Sequence, residues 1–140
     1  MNLKPVVWGA VLSLAAFTAC DKTSELFEVE MPLAVSDTRN FPERPVRVDT
    51  TITLQALFTP ENGCGRRSRI DTATVSRVFT MKLYVKYPEE GSDVVCTDVA
   101  RPLYHTISFR PKETGKYEFR FWKSDTEYLT KTIEVVPIKK

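Results

Sequence analysis

Apolar and polar residues alternate with a period of two along most of the chain. From Val46 to Phe58 the even-numbered positions are mostly apolar and the odd-numbered positions mostly polar. Similar alternation runs through Val78–Tyr87, Leu103–Phe109 and Glu127–Val136. Alternation of this kind is typical of a β-strand with one buried and one solvated face. No helical period extends beyond two turns, so the pattern predicts an all-β fold.

Proline, glycine and short polar runs divide these strands. Pro32 interrupts an apolar segment from Leu26 to Val35, which predicts an edge strand because proline cannot donate a ladder hydrogen bond. A further short strand is expected at Val94–Thr97. The segments expected to be loops or turns are Asp37–Pro45, Thr59–Gly65, Arg66–Arg69 and Pro88–Ser92. About seven strands in this length fit a sandwich of two sheets.

One corner between two predicted strands resembles a known family. The segment Gly115-Lys116-Tyr117 is similar to the E–F corner of immunoglobulin-like and fibronectin-like domains, where a Gly-x-Tyr pair opens strand F. The resemblance implies an Ig-like, two-sheet antiparallel sandwich in which the Tyr117 hydroxyl bonds to upstream backbone. The cysteine of strand F in antibody domains would fall at Phe119, and the third strand has no tryptophan. The likeness is therefore to the broader Ig-like group.

The first twenty residues have the form of an export signal. Lys4 precedes an uncharged run from Pro5 to Ala19, which suits a signal-peptide core but is shorter than the roughly twenty residues that span a bilayer. The end of the run, Phe17-Thr18-Ala19-Cys20, resembles the bacterial lipobox, with Phe17 where that pattern prefers leucine. The resemblance implies that Cys20 carries a diacylglycerol and becomes the mature N-terminus. An ordinary signal peptide and an uncleaved anchor are the alternatives.

These features predict the domain boundaries and the cellular location of the protein. Residues 1–19 are expected to be a lipoprotein signal peptide, 20–25 a lipidated tether, and 26–140 one Ig-like β-sandwich domain. The protein would be lipid-anchored in the bacterial cell envelope. Asp21 resembles the inner-membrane retention signal of enteric bacteria, a rule that other phyla do not follow, and we expect an outer-membrane address.

The cysteine count agrees with this organisation. The chain has three cysteines, an odd number that needs an explanation in an exported protein. Lipidation of Cys20 leaves Cys64 and Cys96 as a pair in an oxidising compartment. A bridge between them would close a loop of about 33 residues, which the chain-entropy relation makes worth about 3.5 to 4 kcal/mol. Two free thiols are the alternative, whereas zinc is disfavoured because no C-x-x-C or histidine pair occurs.

Composition and charge argue against nucleic-acid binding and against catalysis. Hydrophobic residues make up 42% and charged residues 27%, as in ordinary globular domains. The net charge of +2 gives no bulk electrostatic reason to bind nucleic acid. The chain has one histidine, His105, on a mostly apolar strand face, where a half-buried structural role is more common than catalysis. An enzyme is therefore not expected, although a hydrolase remains a distant alternative.

Two charged segments have side chains that could bind a ligand. The acidic turn Glu89–Asp93 lacks the ligand spacing of an EF-hand, so a solvated turn is expected and no metal or other cofactor is predicted. Arg66, Arg67 and Arg69 suit an anionic glycan or lipid headgroup, although a solvated loop is the simpler interpretation. The segment Cys64–Ile70 would also suit an inhibitor that presents a loop to a protease.

Outward-facing aromatic residues are the strongest candidate for a partner surface. On strand F the parity that buries Phe119 leaves Trp122 facing water, and Tyr128 on the last strand and Tyr84 on the third share that outward parity. In an Ig-like sandwich these strands are neighbours in one sheet. The group is either a partner surface or a set of cross-strand contacts that stabilises a hairpin.

The sequence thus predicts a membrane-anchored, non-enzymatic binding or accessory module for an envelope protein or glycan. The Asn62-Gly63-Cys64-Gly65 turn and the Gly-x-Tyr corner give it a general similarity to small lipoproteins of Bacteroidota. That similarity implies an anchor and a sandwich, and it implies no activity.

Overall fold

The computed structural model describes residues 27–139, which form nine β-strands and no helix. The predicted signal peptide, Cys20 and the tether lie outside the described residues. Within residues 27–139 no helix is long and apolar enough to cross a membrane. The strands are β1 Glu28–Leu33, β2 Val35–Arg39, β3 Val46–Arg47, β4 Ile52–Phe58, β5 Arg66–Val75, β6 Val78–Pro88, β7 Leu103–Phe109, β8 Gly115–Trp122 and β9 Tyr128–Val136.

The strands form two sheets, which confirms the predicted all-β two-sheet sandwich. A three-stranded sheet has the order β2-β4-β7, and a six-stranded sheet contains the order β1-β6-β8-β9-β3 with β5 paired to β6. β6 is the central strand of the larger sheet. It pairs with β5 along one side, and with β8 and then β1 along the other side. The pairs β3–β9 and β6–β8 are parallel, and the other pairs are antiparallel.

The predicted single strand from Val46 to Phe58 is two strands in different sheets. β3 pairs with β9 in the larger sheet, and β4 pairs with β2 and β7 in the smaller one. The break is a turn in which Thr50 N donates to Arg47 O over 3.2 Å and Asp49 has a φ of 63°. The even-numbered residues of β3 and of β4 both face the core between the sheets. The alternation of apolar and polar residues therefore continues through the turn, and the sequence pattern does not show that the strand is interrupted.

Three other predicted boundaries are wrong. The expected loop Asp37–Pro45 begins inside β2, and the expected basic loop Arg66–Arg69 is the start of β5. The expected strand Val94–Thr97 lies in the irregular connection between β6 and β7. Its apolar residues do not face the core, and Val95 is 93% exposed. A disulfide at Cys96 holds this segment instead of a strand ladder.

Aromatic rings join the two sheets at the centre of the core. Phe119 on β8 is 1% exposed, and its ring centroid lies 4.9 Å from that of Phe79 on β6 and 5.2 Å from that of Phe109 on β7. Phe41, from the connection between β2 and β3, meets the Phe119 ring edge-on at 5.7 Å. Phe119 occupies the strand-F position where antibody domains have a cysteine, so ring packing links the sheets here.

The predicted tyrosine corner is confirmed. The Tyr117 hydroxyl donates to the backbone oxygen of Glu113 over 3.0 Å. Arg77 covers the corner, with its Nη2 2.9 Å from Glu113 Oε2 and its guanidinium 5.7 Å from the Tyr117 ring centroid. Gly115 has a φ of 128°, and a Cβ there would lie 2.8 Å from Arg77 Nη1. Glycine is therefore required where strand β8 begins.

The predicted disulfide between Cys64 and Cys96 is also confirmed, with a Cα–Cα distance of 5.3 Å. Gly63 N donates to Thr97 O over 2.8 Å, and Cys64 N donates to Asn62 Oδ1 over 3.0 Å. A Cβ on Gly63 would overlap the Thr97 side chain. The Asn62–Gly65 turn therefore fits closely against the segment that carries Cys96.

Candidate functional site

The outer face of the six-stranded sheet brings the three predicted aromatic residues together. Tyr84 lies on β6, Trp122 on β8 and Tyr128 on β9, and these strands are consecutive neighbours in the sheet. Trp122 is directly opposite Tyr128 in the β8–β9 register. The inward positions of β8, including Phe119 and Phe121, are buried, whereas Trp122 is partly exposed and Tyr128 is 42% exposed.

Basic side chains lie between these rings. Lys82 Nζ is 4.6 Å from the Trp122 ring centroid and 5.6 Å from that of Tyr84. The guanidinium of Arg69, from β5, lies 3.6 Å from the Tyr84 ring centroid. Cations at these distances are attracted to the electron-rich ring faces. We call the residues Arg69, Tyr84, Lys82, Trp122 and Tyr128 the cation–aromatic row.

Carboxylates fix one end of this row. Arg69 forms ion pairs with Asp71 and, over 3.1 Å, with Glu30 Oε2. Ser68 also donates a hydrogen bond to Glu30, and this bond, more than the nearby cations, holds the pKa of Glu30 below its usual range. The hydrogen bond from Arg69 likewise lowers the pKa of Asp71. Exposed pairs contribute little to stability, and here they orient the Arg69 side chain over Tyr84.

The other predicted arginines do not join this row. A register shift in β5 lies between Arg67 and Ile70. Arg66 forms an ion pair with Glu28, and Arg67 donates to the backbone oxygen of Tyr104. The three arginines of the sequence segment therefore face different surroundings, and they form a paired strand where a loop was expected. A protease inhibitor would present this segment as a protruding loop. Arg66–Ile70 instead forms the first half of strand β5.

His105 and the acidic turn have the surroundings of structural residues. His105 is half-buried opposite Ala56 of β4, and burial, assisted by the charge of Arg67, lowers its pKa below the usual value of 6.5. The shift favours the neutral form of its imidazole. The acidic turn Glu89–Asp93 is closed by a hydrogen bond from Ser92 N to Glu89 O. Within residues 27–139, no three His, Cys, Asp or Glu side chains are grouped to hold a metal ion.

Sequence reasoning missed a concavity at the disulfide end of the sandwich. It is open to solvent and has a volume of about 580 Å³. Arg66 and Arg67 of β5 line it together with Val99 and Arg101 of the β6–β7 connection. These two pairs are more than thirty residues apart in the chain. The predicted Cys64–Cys96 bridge was the one sequence signal that placed the two segments side by side.

A family model described as the ORF11 beta-sandwich domain matches residues 54–135, more than half of the 140 residues. The matched segment begins in β4 and ends in β9, so it includes strands of both sheets. It also contains the disulfide, the tyrosine corner and the whole cation–aromatic row. No curated protein and no solved structure matches the chain.

Proposed function

We propose that this chain, which belongs to the ORF11 beta-sandwich domain family, is a membrane-anchored envelope lipoprotein that acts as a non-enzymatic binding or accessory module. The cation–aromatic row is its binding surface, and an envelope protein or glycan is its partner. One observation carries the proposal: Trp122 lies on the outer face of the sheet, in line with two tyrosines and two cations.

The row has the composition of a recognition surface. Tryptophan, tyrosine and arginine are the residues enriched where binding energy is concentrated at interfaces. Lys82 and Asp125, whose charged groups are 3.8 Å apart, lie beside Trp122. Such an arrangement offers apolar ring area together with charges that a partner can pair with. The alternative, a cross-strand pair that only stabilises the β8–β9 hairpin, makes a different prediction for stability.

The anchor is supported by the sequence and by the redox chemistry of the domain. The lipobox-like ending Phe17–Cys20 precedes the described fold by a few residues. The Cys64–Cys96 bridge suits an oxidising compartment such as the bacterial envelope. Anchoring at Cys20 would keep the row near the membrane.

Replacing Trp122 by alanine tests the surface. Loss of a tryptophan from the centre of an interface costs about 2 kcal/mol or more, so capture of the partner should weaken by roughly thirtyfold. Unfolding free energy should fall by at most about 1 kcal/mol because the side chain is on the solvated face. The measurement is capture of envelope components by the purified lipoprotein, read by mass spectrometry, with a thermal melt of each variant.

The chain provides a matched control for this experiment. Tyr104 on β7 is 44% exposed and lies under Arg39 at 5.7 Å, much as Tyr128 is 42% exposed within the row. Tyr128→Ala should weaken capture and Tyr104→Ala should not. A fall of many degrees in the melting temperature of Trp122→Ala would assign the row to hairpin stability. Unchanged capture in all three variants would place the binding surface elsewhere.

A detergent partition tests the anchor separately. Several acyl chains hold a protein firmly to a membrane, whereas one holds it only marginally. The wild-type protein should enter the detergent phase, and Cys20→Ala should stay in the aqueous phase or keep its signal peptide. Aqueous partitioning of the wild type would rule out lipidation. Cys64→Ala, whose cysteine lies in the bridge, should partition like the wild type.

A further inference from the structure

Exposed apolar side chains gather at the end of the sandwich where the described chain begins. Phe27 is 72% exposed, and its backbone oxygen accepts a hydrogen bond from Glu89 N over 2.9 Å. Glu89 opens the β6–β7 connection, in which Val95 is 93% and Val99 is 78% exposed. Phe27 thus lies at the same end of the fold as this connection.

The connection is fixed in place. The Cys64–Cys96 bridge and the bond between Gly63 N and Thr97 O tie it to the β4–β5 turn. A hydrogen bond from Thr97 Oγ1 to Val99 O, over 3.3 Å, lies within the connection itself. Its valines are therefore presented to solvent by an ordered segment.

Three arginines line a concavity together with one of these valines. Val99 lines the concavity at this end together with Arg66, Arg67 and Arg101. Arg66 and Arg67 each have one partner that orients the side chain, and a guanidinium has five N–H donors, so both have donors left. Arg101 has no ion pair with another residue that the structure describes. Guanidinium groups bind phosphate oxygens in a bidentate manner.

We propose that this end of the sandwich docks on the surface of a phospholipid bilayer. Phe27, Val95 and Val99 enter the boundary between headgroups and acyl chains, and the three arginines contact lipid phosphates. Amphipathic surfaces that lie in this boundary combine apolar side chains with basic ones in the same way.

The position of the chain outside the described residues supports a lipid surface as the occupant, and here the inference rests on the proposed anchor. Six residues lie between Cys20 and Phe27, and the seven steps from one to the other reach about 25 Å at full extension. Strand β6, with eleven residues, extends about 35 Å between this end of the sandwich and the opposite end. The reach from Cys20 is shorter than this length. An anchor at Cys20 would therefore hold this end of the sandwich at the membrane.

Carboxylates near this end of the sandwich restrict the charge of the lipid headgroup that can bind there. Glu89, Glu90, Asp93 and Asp98 belong to the same connection and would be repelled by an anionic surface. Zwitterionic phospholipids supply the phosphate without a net negative charge. We therefore assign a zwitterionic phospholipid as the docking partner, and the cation–aromatic row, on a sheet face that runs along the sandwich, stays accessible.

Methyl NMR of the native lipoprotein in phosphatidylethanolamine nanodiscs tests this orientation. A gadolinium chelate on a lipid headgroup broadens nearby signals. The methyl signals of Val95 and Val99 should lose several-fold more intensity than those of Val75. Val75 is a matched reference, since it is 74% exposed and lies at the β5–β6 turn, the other end of β5 from Arg66. Equal broadening of the three valines would overturn the proposal.

Substitutions of the valines, and chemical coupling of Cys20 to a lipid, distinguish docking of the sandwich on the bilayer from anchoring through the native lipid. Val95→Asp combined with Val99→Asp should reduce the gadolinium broadening of the Val29 methyls, which lie opposite Tyr87 at the same end, while Val75→Asp should leave the broadening of Val95 and Val99 intact. In a chain that starts at Cys20 and lacks native lipid, Cys20 can be coupled to a maleimide lipid because the other two cysteines are bridged. If the native protein fails to enter nanodiscs, the anchor is refuted. The coupled protein still decides docking by the same comparison of valines.

Discussion

Replacing both Cys64 and Cys96 by serine is expected to lower the free energy of unfolding by about 3.5 to 4 kcal/mol. The bridge joins residues 32 apart in sequence, and without it the unfolded chain regains the entropy that the closed loop had removed. The melting temperature should fall by roughly 10 to 20 °C for a domain of this size. Urea denaturation of the oxidised wild type and of the double variant measures the difference.

Reduction of the wild type is the control for this experiment. A reducing agent should bring the wild type to the stability of the double variant and should leave the double variant unchanged. If reduction does not shift the wild-type transition, the bridge contributes nothing measurable. The β6–β7 connection, including Val95 and Val99, would then be held to the Asn62–Gly65 turn by the hydrogen bond from Gly63 N to Thr97 O.

Replacing Phe119 by alanine should be of similar severity, at about 3 to 5 kcal/mol. The side chain is 1% exposed and contacts rings from both sheets, so its removal leaves a cavity between the sheets and breaks several aromatic pairs. The expected result is a large fall in the urea midpoint with little change in the slope of the transition.

Trp122→Ala is the control within the same strand. Trp122 is larger than Phe119 and lies only three residues further along β8, but it faces the opposite side of the sheet. Phe119→Leu should cost less than Phe119→Ala because it keeps most of the buried volume. A stability loss for Trp122→Ala equal to that of Phe119→Ala would contradict the assignment of the two faces.

The parts of the fold that were predictable are those in which one strand face is buried. The alternation in β6 and in β8 gave the correct inward residues, among them Leu83 and Phe119, because the other sheet covers them. The tyrosine corner was predictable because its chemistry is local, with Tyr117 bonding to a residue four positions earlier. The cysteine pair was predictable because the lipobox resemblance sets Cys20 aside and leaves Cys64 and Cys96.

The strand that was missed, β5, has no buried face. Nearly all its residues are exposed, since it pairs with β6 at the edge of the larger sheet and the smaller sheet has only three strands. Thr72 and Thr74 occupy the inward parity but remain exposed, so no apolar period marks the strand. Conversely, the Val94–Val95 pair looked like strand sequence, although a disulfide and not a ladder holds that segment.

The candidate site was predictable in part for the same reason. Trp122, Tyr128 and Tyr84 follow from strand parity, and the structure places them on one face. The cations between them were not foreseen, because Lys82 reaches across from β6 to Trp122 and Arg69 comes from the unrecognised strand β5. The contact between Lys82 and Trp122 joins β6 and β8, which are neighbours in the sheet but not consecutive in the chain, and alternation does not reveal such a pairing.

The strand order also has a kinetic consequence. Among the pairings described here, only β5–β6 and β8–β9 join consecutive strands, while β3 pairs with β9 by matching Val46 to Val135. The parallel β6–β8 pair likewise matches Val78 to Glu118. Chains that must close such long loops before their sheets form fold in milliseconds to seconds. The two hairpins are then the natural early structures, and the three-stranded sheet and the β3–β9 closure must wait for distant segments to meet.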